Sequence, residues 1–517
     1  MKKYRTIIII NVIVLTLIAL GCYFFINNLY IVTYCDEKYN CTIKEENSRV
    51  NRLFSKYKKY KYVKVDKVID EVYAYPDDLM MLISESDDEQ FGYGLNINDK
   101  VRLLSEEVNV NKLVNIEKNE LNKESIINYV KEKNIDLEDS DFDNIKVFTT
   151  QSYYKDPESK DIVSLKRFKG FNIDLPSDKK LDNVITNSIN RLIAMLGDDG
   201  KFVYGYRANL GTVMPSYSNT RHAGASYSLV KYYEHTKDES LKEKIELSID
   251  YLIKNCLVKR NNNTYYVIDD KKQEFILGTT SLTLLAITEY QIAFNETKYS
   301  DIAEGLANGI ITFQQKDGSY IHSMNTDYTL KDEFIIVYYD GEATYALLNQ
   351  YKVTKNKKYF DAAKAAVDMF ISKNYTDYKD QWVAYSMYNF IQYDHSEKYI
   401  EFTFQNYTDN DFFKIDSFRP VNIELLMCIY NSYKYLVDNK IESDALGSID
   451  LDDLKKTIIY HRDLVLSYYI DDYYAMYFKN PELSKYGFVC LDDNFRMRID
   501  DIQHPIAGLI MYQEELK

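Results

Sequence analysis

The chain has 517 residues, 46% of them hydrophobic, and a formal net charge of −15. This length and apolar content are sufficient for a large core and exclude a disordered protein. The negative charge argues against nucleic acid as a partner, although a local basic patch could still bind an anionic substrate. Neither CxxC nor HExxH occurs, so the sequence predicts no metal site and no cofactor.

The N-terminus predicts a membrane anchor. Three basic residues within the first five positions precede an apolar run from Ile7 to Ile26, which is long enough to span a bilayer. Basic residues stay on the cytoplasmic side, so the bulk of the chain should lie outside. The run is too long for a cleaved signal peptide and continues beyond Cys22. We therefore expect a cytoplasmic tail at 1–6, a transmembrane signal anchor at 7–30 and a single-pass protein of the cell membrane.

The next two segments differ in composition. Residues 31–60 are polar and rich in lysine, which predicts a stalk. Within them, Cys35 and Cys41 either form a disulfide that closes a small loop or remain free thiols. Residues 61–175 combine strand-like stretches with a short helical one and so predict a small α/β module, for which the sequence indicates no chemistry.

The remainder, 176–517, has apolar residues at helical spacing. Its connections alternate between short and mostly long. Two long ones begin with related sequences, GDDGKFVYGY at 197–206 and QKDGSYIHSM at 315–324, in which Asp-Gly predicts a turn before an aromatic-rich strand. One helical hairpin recurring about every 40 to 60 residues is typical of a repeat architecture. The twelve predicted helices span 180–196, 222–235, 238–255, 278–294, 299–315, 341–353, 357–373, 381–393, 396–407, 420–437, 449–468 and 502–515.

These features, together with YDGEATYALL at 339–348, resemble the six-hairpin (α/α)6 toroids of glycoside hydrolases, polysaccharide lyases and uronyl C5-epimerases. The resemblance implies a mainly α fold, with an (α/α)6 toroid over 176–517 after the α/β module and the transmembrane helix. It also implies a carbohydrate-active enzyme. Hydrolase, lyase and epimerase chemistries all stay open, with hydrolysis as the nominal choice, because one fold hosts many functions. A non-catalytic glycan-binding or scaffold protein of a surface polysaccharide system is the alternative.

In such a ring the short turns lie on one face, so the inner helices begin at the other face and point their N-termini at a common mouth. Asp340 and Glu342 start one inner helix, and with Asp501 they are the predicted acid and base for cleavage of a glycosidic bond. Helix capping is the alternative role for Asp340 and Asp501. His222 and His504 occupy the first turns of other inner helices and are also predicted to be catalytic, because the pKa of histidine lies near neutrality; a structural role is the alternative for each.

Arginine is concentrated at the same face. Six of the eight arginines after residue 176 lie on or beside predicted loops, whereas lysine shows no such bias. Because guanidinium binds carboxylate or phosphate through a planar fork, the predicted partner is an anionic polysaccharide or oligosaccharide. The single tryptophan and several tyrosines at the mouth could stack on sugar rings, with packing as the alternative. The predicted substrate-binding residues are Arg221, Arg419, Arg498, Trp382, Tyr206, Tyr339, Asp380 and Asp500.

Overall fold

The computed structural model describes residues 29–517, except for the short stretches given below. The predicted cytoplasmic tail at 1–6 lies outside the described residues, as does the predicted anchor at 7–30 apart from its last two residues. No helix within the described part is long and apolar enough to cross a membrane. The residues not described between 29 and 517 are 75–91, 116, 117, 119, 157, 158, 169, 170, 174–177, 262, 270–272, 332, 333, 409–412, 414–418 and 492.

The chain forms two compact units, and three pieces of the chain contribute to each. The first unit contains the described part of Met1–Pro176, together with Ala208–Gly211 and Leu466–Lys485. The second unit contains Ser177–Arg207, Thr212–Val465 and Tyr486–Lys517. The predicted toroid included all of 176–517. That prediction is wrong for Ala208–Gly211 and Leu466–Lys485, which belong to the first unit.

The first unit is built on an antiparallel sheet of eight strands. In chain order these are β1 (Leu29–Cys35), β2 (Cys41–Asn47), β3 (Tyr62–Tyr73), β4 (Gly92–Ile97), β5 (Val101–Leu104), β6 (Ile145–Lys155), β7 (Ile162–Phe168) and β8 (Phe171–Ile173). They pair in the order β8–β7–β6–β3–β1–β2, and β4 pairs with both β5 and β6. The N-terminal part also contains α1 (Val50–Lys56), α2 (Ser105–Val110), α3 (Lys123–Lys131) and a ribbon of Val114–Asn115 with Glu120–Leu121.

The predicted stalk at 31–60 is wrong, because these residues form β1, β2 and α1 of the first unit. β1 has the apolar sequence LYIVTYC, is almost entirely buried and lies between β2 and β3. The last two residues of the predicted anchor, Leu29 and Tyr30, begin this strand. Cys35 and Cys41 face each other across the β1–β2 hairpin and form a disulfide. All lysines of 31–60 are exposed, which explains the polar composition of the stretch.

Leu466–Lys485 joins the first unit through side-chain hydrogen bonds. Its short helices are Asp472–Ala475 and Pro481–Ser484. The hydroxyl oxygens of Tyr477 and Thr33 lie 2.9 Å apart, and the Tyr39 hydroxyl donates to Asp472 Oδ1 at 2.7 Å. These bonds connect the segment to β1 and to the β1–β2 turn, from which it is distant in sequence.

A buried ion cluster lies on β3 of the same unit. Lys64 Nζ contacts Asp66 and is 3.0 Å from Glu106 Oε1, and all three side chains are buried. The Ser152 hydroxyl donates to Asp66 Oδ1 at 2.6 Å. Because desolvated ions are costly, such a cluster tolerates the loss of a single partner poorly.

The second unit contains all twelve predicted helices, and each end lies within three residues of its predicted position. In chain order they are α4 (Asp178–Ala194), α5 (Asn219–Thr236), α6 (Leu241–Asn255), α7 (Leu277–Phe294), α8 (Ser300–Phe313), α9 (Tyr338–Thr354), α10 (Lys357–Ser372), α11 (Gln381–Phe390), α12 (Glu397–Thr408), α13 (Asn422–Asp438), α14 (Leu451–Ser467) and α15 (Ile499–Leu516).

The odd-numbered helices from α5 to α15 form the inner ring. Each inner helix contacts the next odd-numbered helix along the chain, and α15 contacts α5, so the ring is closed. The sequence of α7 shows why these helices lie inside: fifteen of its eighteen residues are buried, whereas the outer helix α8 buries one face. The predicted (α/α)6 toroid is confirmed.

The predicted Asp-Gly turns are present at equivalent places in two hairpins. Gly200 and Gly318 have φ values of 85° and 89°, which favour glycine. A Cβ on Gly200 would clash with the carbonyl oxygen of Leu247 in α6, and one on Gly318 with that of Ala365 in α10. Each turn therefore packs directly on the next outer helix. The long connections also carry two antiparallel sheets, one of Gly205–Arg207, Thr212–Val213 and Arg496–Arg498, the other of Leu257–Asn261, Thr264–Asp269, Glu274–Ile276, Ser323–Asn325 and Leu330–Lys331.

Candidate active site at the mouth of the toroid

The starts of the six inner helices carry a cluster of polar side chains, which we call the mouth. Short turns follow the inner helices, so all six begin at the face of the ring that bears the long connections. The mouth residues at these starts are Arg221 on α5, Gly278 on α7, Asp340 and Glu342 on α9, Asp380 before α11, Glu424 on α13, and Asp500, Asp501 and His504 on α15. Electrostatic interactions link Glu342 to Asp340, Asp380 and Arg221, and His504 to Glu424 and Asp500.

Two predicted arginines converge on one predicted aspartate. Arg221 Nε and Arg498 Nη2 each donate to Asp500 Oδ2 at 2.8 Å. Arg221 Nη1 also donates to the Tyr204 hydroxyl at 3.0 Å. Burial alone would raise the pKa of Asp500, but the two guanidinium groups outweigh burial and lower it. Asp500 is therefore an anion whose charge is already compensated within the protein.

Asp501 uses both carboxylate oxygens within the protein. Arg496 donates to it through Nε and Nη2, both at 3.0 Å, and the backbone N–H of Arg498 donates to Oδ2 at 2.8 Å. The last contact caps the N-terminus of α15. This geometry matches the capping alternative for Asp501.

Glu342 is a buried carboxyl with an unpaired oxygen. Its Oε2 atom has no hydrogen-bond partner. Burial raises the pKa of Glu342 well above its usual value, the neighbouring Asp380 and Asp340 raise it further, and Arg221 opposes them. A Cβ on Gly278 would lie 2.5 Å from Oε2, so the glycine leaves the room that the carboxyl occupies. The surroundings of Glu342 consequently favour its protonated form, which is the form that can donate a proton.

Asp380 is a second buried carboxyl with a free oxygen. Its Oδ1 accepts the Trp382 N–H at 2.9 Å and caps α11, while Oδ2 has no partner. Burial raises the pKa of Asp380 to about 7, although the N–H groups at the start of α11 oppose the rise, and Asp340 adds to it. From the sequence, Asp380 is predicted only as a binding residue. Its surroundings also permit an acid–base role near neutral pH.

Asp340 is held by His322, which the sequence analysis did not single out. His322 Nδ1 accepts the backbone N–H groups of Ile335 and Ile336 at 3.0 and 3.3 Å, so its proton is on Nε2 and is donated to Asp340 Oδ2 at 3.0 Å. Both side chains are buried. The only sequence signal for His322 was its place in QKDGSYIHSM, on the strand that follows the second Asp-Gly turn.

His504 is oriented by Glu424. Glu424 Oε2 lies 2.7 Å from His504 Nδ1, and its Oε1 accepts the Tyr385 hydroxyl at 3.0 Å. Burial alone would lower the pKa of His504, but Glu424, Asp500 and Asp501 outweigh it and raise the pKa. Within the described chain Nε2 makes no hydrogen bond, and the side chain keeps 15% exposure. The free nitrogen is thus available for proton transfer.

His222 has the same place at the start of an inner helix but different surroundings. Its Nε2 donates to the Ser248 carbonyl at 2.9 Å, and Nδ1 accepts the Tyr217 hydroxyl at 2.7 Å. The ring stacks on Tyr251, and burial lowers the pKa of His222 to about 4. With both nitrogens occupied and the ring neutral, we assign His222 a structural role.

The remaining predicted binding residues divide into buried and accessible ones. Trp382 is 2% exposed and packs against Tyr385, so its ring belongs to the core. Tyr206 is buried on the strand that pairs with Arg496–Arg498. Arg419 is exposed, and Tyr339 is half-buried beside Gly278 and Glu342. Among the described residues no group of three or more His, Cys, Asp or Glu side chains is placed to hold a metal ion.

Neither a family model nor a curated protein matches this sequence. Solved structures do match. A D-mannose isomerase is 12% identical, with 66% of this chain and 98% of that chain covered and a TM-score of 0.50. Cellobiose 2-epimerase from Bacillus thermoamylovorans B4167 is 13% identical, with 66% and 99% covered and a TM-score of 0.50. A sugar epimerase from a ruminal bacterium is 12% identical, with the same two coverages and TM-score. The resemblance to the six-hairpin toroids, predicted from the sequence, is confirmed at the level of the fold.

Proposed function

We propose that the toroid is a carbohydrate-active enzyme that hydrolyses a glycosidic bond. The observation that carries this proposal is the pair of buried carboxyls Glu342 and Asp380, each with an oxygen that lacks a partner and each with a raised pKa. Two carboxyl groups acquire different roles when their surroundings separate their proton affinities. The sugar substrate is inferred from the names of the proteins that share the fold, a mannose isomerase and a cellobiose epimerase.

Glu342 is the proposed general acid. Burial and the neighbouring carboxyls raise its pKa and so favour its protonated form, which can donate a proton to the leaving oxygen as the glycosidic bond breaks. Asp380 is the proposed general base, since a pKa of about 7 leaves it partly ionised. As the water oxygen bonds to the sugar carbon, Asp380 takes the proton of that water. Exchange with solvent then returns both groups to their starting states.

The other two predicted catalytic aspartates have supporting roles in this proposal. Asp340, held in place by His322, contributes the negative charge that helps to keep the pKa values of Glu342 and Asp380 high. Asp501 fixes the start of α15 through Arg496 and through its capping bond.

An anionic substrate is a finer proposal, which rests on the arginines of this face. Arg498 Nε is buried, makes no hydrogen bond and lies 3.6 Å from Asp501 Oδ2, so it is the proposed contact for a substrate carboxylate. Four arginines at this face pair with three aspartates. These are Arg207, Arg221, Arg496 and Arg498, with Asp493, Asp500 and Asp501.

We also propose that the apolar run from Ile7 to Ile26 holds the enzyme at the outer face of the cell membrane. Its length and the basic residues before it support this location. Protease added to intact cells should then degrade the toroid. Protection of the toroid until the cells are lysed would contradict the proposed orientation.

Proton transfer at a sugar carbon is the second candidate function, and His504 favours it. Its Nδ1 is held by Glu424 and its Nε2 is free, which is the arrangement that a base requires to abstract a proton from carbon. Epimerase and lyase reactions both begin with such a step. Glu342 would then supply a proton to the opposite face or to the leaving oxygen.

A proton NMR time course in heavy water separates these functions. The full-length chain in detergent is mixed with neutral and uronate-containing oligosaccharides. New reducing-end anomeric signals are expected, and Glu342→Gln should slow their appearance at least about 100-fold. Glu304→Gln, at an exposed position on α8, is the matched control and should keep wild-type turnover.

Other outcomes would overturn the hydrolase proposal. Loss of a sugar C–H signal without cleavage would identify an epimerase, and a vinyl proton would identify a lyase. Line broadening of a glycan without turnover would identify the non-catalytic glycan-binding protein.

A further inference from the structure

Two aromatic side chains at the rim of the mouth are largely exposed. Phe334 is 60% exposed and Tyr378 is 49% exposed. Phe334 lies in the connection that leads to Asp340, and Tyr378 lies two residues before Asp380. Exposed aromatic rings beside a cluster of polar side chains are a feature of ligand-binding surfaces. The predicted stacking residue, Trp382, is by contrast buried in the core.

Each exposed ring is connected to Asp340 through one buried residue. The Phe334 ring lies 4.7 Å from the ring of His322, which donates to Asp340. The Tyr378 ring lies edge-on to Tyr375 at 5.2 Å. Burial raises the pKa of Tyr375, and the adjacent Asp340 raises it further, so Tyr375 lies beside that carboxylate. Each exposed ring therefore contacts a buried residue that borders Asp340, and the two rings lie in different connections.

The supporting contacts fix both rings without covering them. His322 is buried and held by three hydrogen bonds, so the ring that Phe334 contacts is immobile. Tyr375 packs in turn against Phe370 of α10 at 4.9 Å. An aromatic ring held in this way loses little conformational entropy when a ligand stacks on its free face. Pyranose rings have apolar C–H faces that suit such a surface.

We propose that Phe334 and Tyr378 bind, by stacking, the sugar units of a glycan chain that lie beyond the reacting unit. The substrate is then an oligosaccharide or polysaccharide, because a free monosaccharide in the reacting position would contact neither ring. This inference rests on the proposed function of the same mouth, because it takes the ligand to be a glycan.

The test measures affinity against chain length in a protein that does not turn the ligand over. Isothermal titration uses the full-length Glu342→Gln chain with mannose, glucose and glucuronate oligosaccharides, each from the monosaccharide upward. Affinity should rise with length for at least one series. Phe334→Ala or Tyr378→Ala should flatten this rise and weaken binding of the longest member about tenfold. Phe334→Tyr, which keeps the ring, should restore it.

The control is Tyr393→Ala, which removes an exposed ring from a short turn on the other face of the toroid. It should leave the length dependence unchanged. Equal affinities of the parent and the Phe334→Ala and Tyr378→Ala proteins for the longest ligand would overturn the stacking role. That result would leave the hydrolase proposal intact if the wild type cleaves the same glycan. Affinity could instead rise with glycan length and fall when either ring is removed, while the wild type cleaves no glycan. That result would support the stacking role and overturn the hydrolase proposal.

Discussion

Asp380→Asn is expected to stabilise the toroid at neutral pH while it abolishes the proposed base. Burial raises the pKa of Asp380 from 3.8 to about 7 on folding. Since each pH unit corresponds to about 1.4 kcal/mol, ionised Asp380 costs the folded state up to about 4 kcal/mol above pH 7. The pKa of Asp380 is higher in the folded state than in the unfolded state. Asp380 therefore costs the folded state nothing below about pH 4, where it is protonated in both states. The free energy of unfolding then falls as the pH rises from about 4 to about 7.

Asparagine preserves the rest of the geometry. Its side-chain oxygen can still accept the Trp382 N–H that Asp380 Oδ1 now accepts, so the cap of α11 is kept. The variant has no ionisation at this position. Its free energy of unfolding, relative to the wild type, should therefore increase by up to about 4 kcal/mol between about pH 4 and about pH 8.

The fluorescence of Trp382 provides the assay. It is the only tryptophan in the chain, it is buried, and it lies in the first turn of α11, so its emission during urea unfolding reports on the toroid. Asp377→Asn, at an exposed position nearby, is the control and should show no such pH trend. A difference between Asp380→Asn and wild type that stays constant from about pH 4 to about pH 8 would refute the reasoning.

Two further predictions concern close packing and buried charge. Gly278→Ala would place a methyl carbon 2.2 Å from the Tyr339 ring and 2.5 Å from Glu342 Oε2, so both side chains must shift and turnover should fall at least about tenfold with an unchanged far-UV circular dichroism spectrum. Lys64→Ala would leave Asp66 and Glu106 buried without their cation, so thermal unfolding should show the first unit destabilised by about 3–5 kcal/mol.

Both variants have matched controls. Gly447→Ala adds a methyl group where nothing lies within 4 Å, so it should leave turnover unchanged. Lys44→Ala removes an exposed lysine from β2 of the same sheet and should change stability by less than about 1 kcal/mol. Wild-type turnover in Gly278→Ala would remove Glu342 from the mechanism. Wild-type stability in Lys64→Ala would show that Asp66 and Glu106 are not both buried as ions that depend on the Lys64 charge.

The toroid was predictable because its signals are local. Apolar spacing marks each helix within its own sequence, and alternating turn lengths order the helices into hairpins. The turns at Gly200 and Gly318 were predictable because Asp-Gly favours a turn wherever it occurs. The sheet of the first unit was not predictable in the same way. β1 is stabilised by pairing with β3, which begins 27 residues beyond the end of β1, and a composition rich in exposed lysine concealed that pairing.

The roles of the site residues show where sequence reasoning ends. Sequence alone determined that His222 and His504 begin inner helices and that Asp340, Glu342 and Asp380 lie at the same mouth. Only the tertiary structure decided that His222 has both nitrogens occupied while Nε2 of His504 is free. The position of a residue at the start of a helix fixes where its Cα lies in the ring. Its protonation and accessibility depend on partners from other helices, and these come together only when the ring closes.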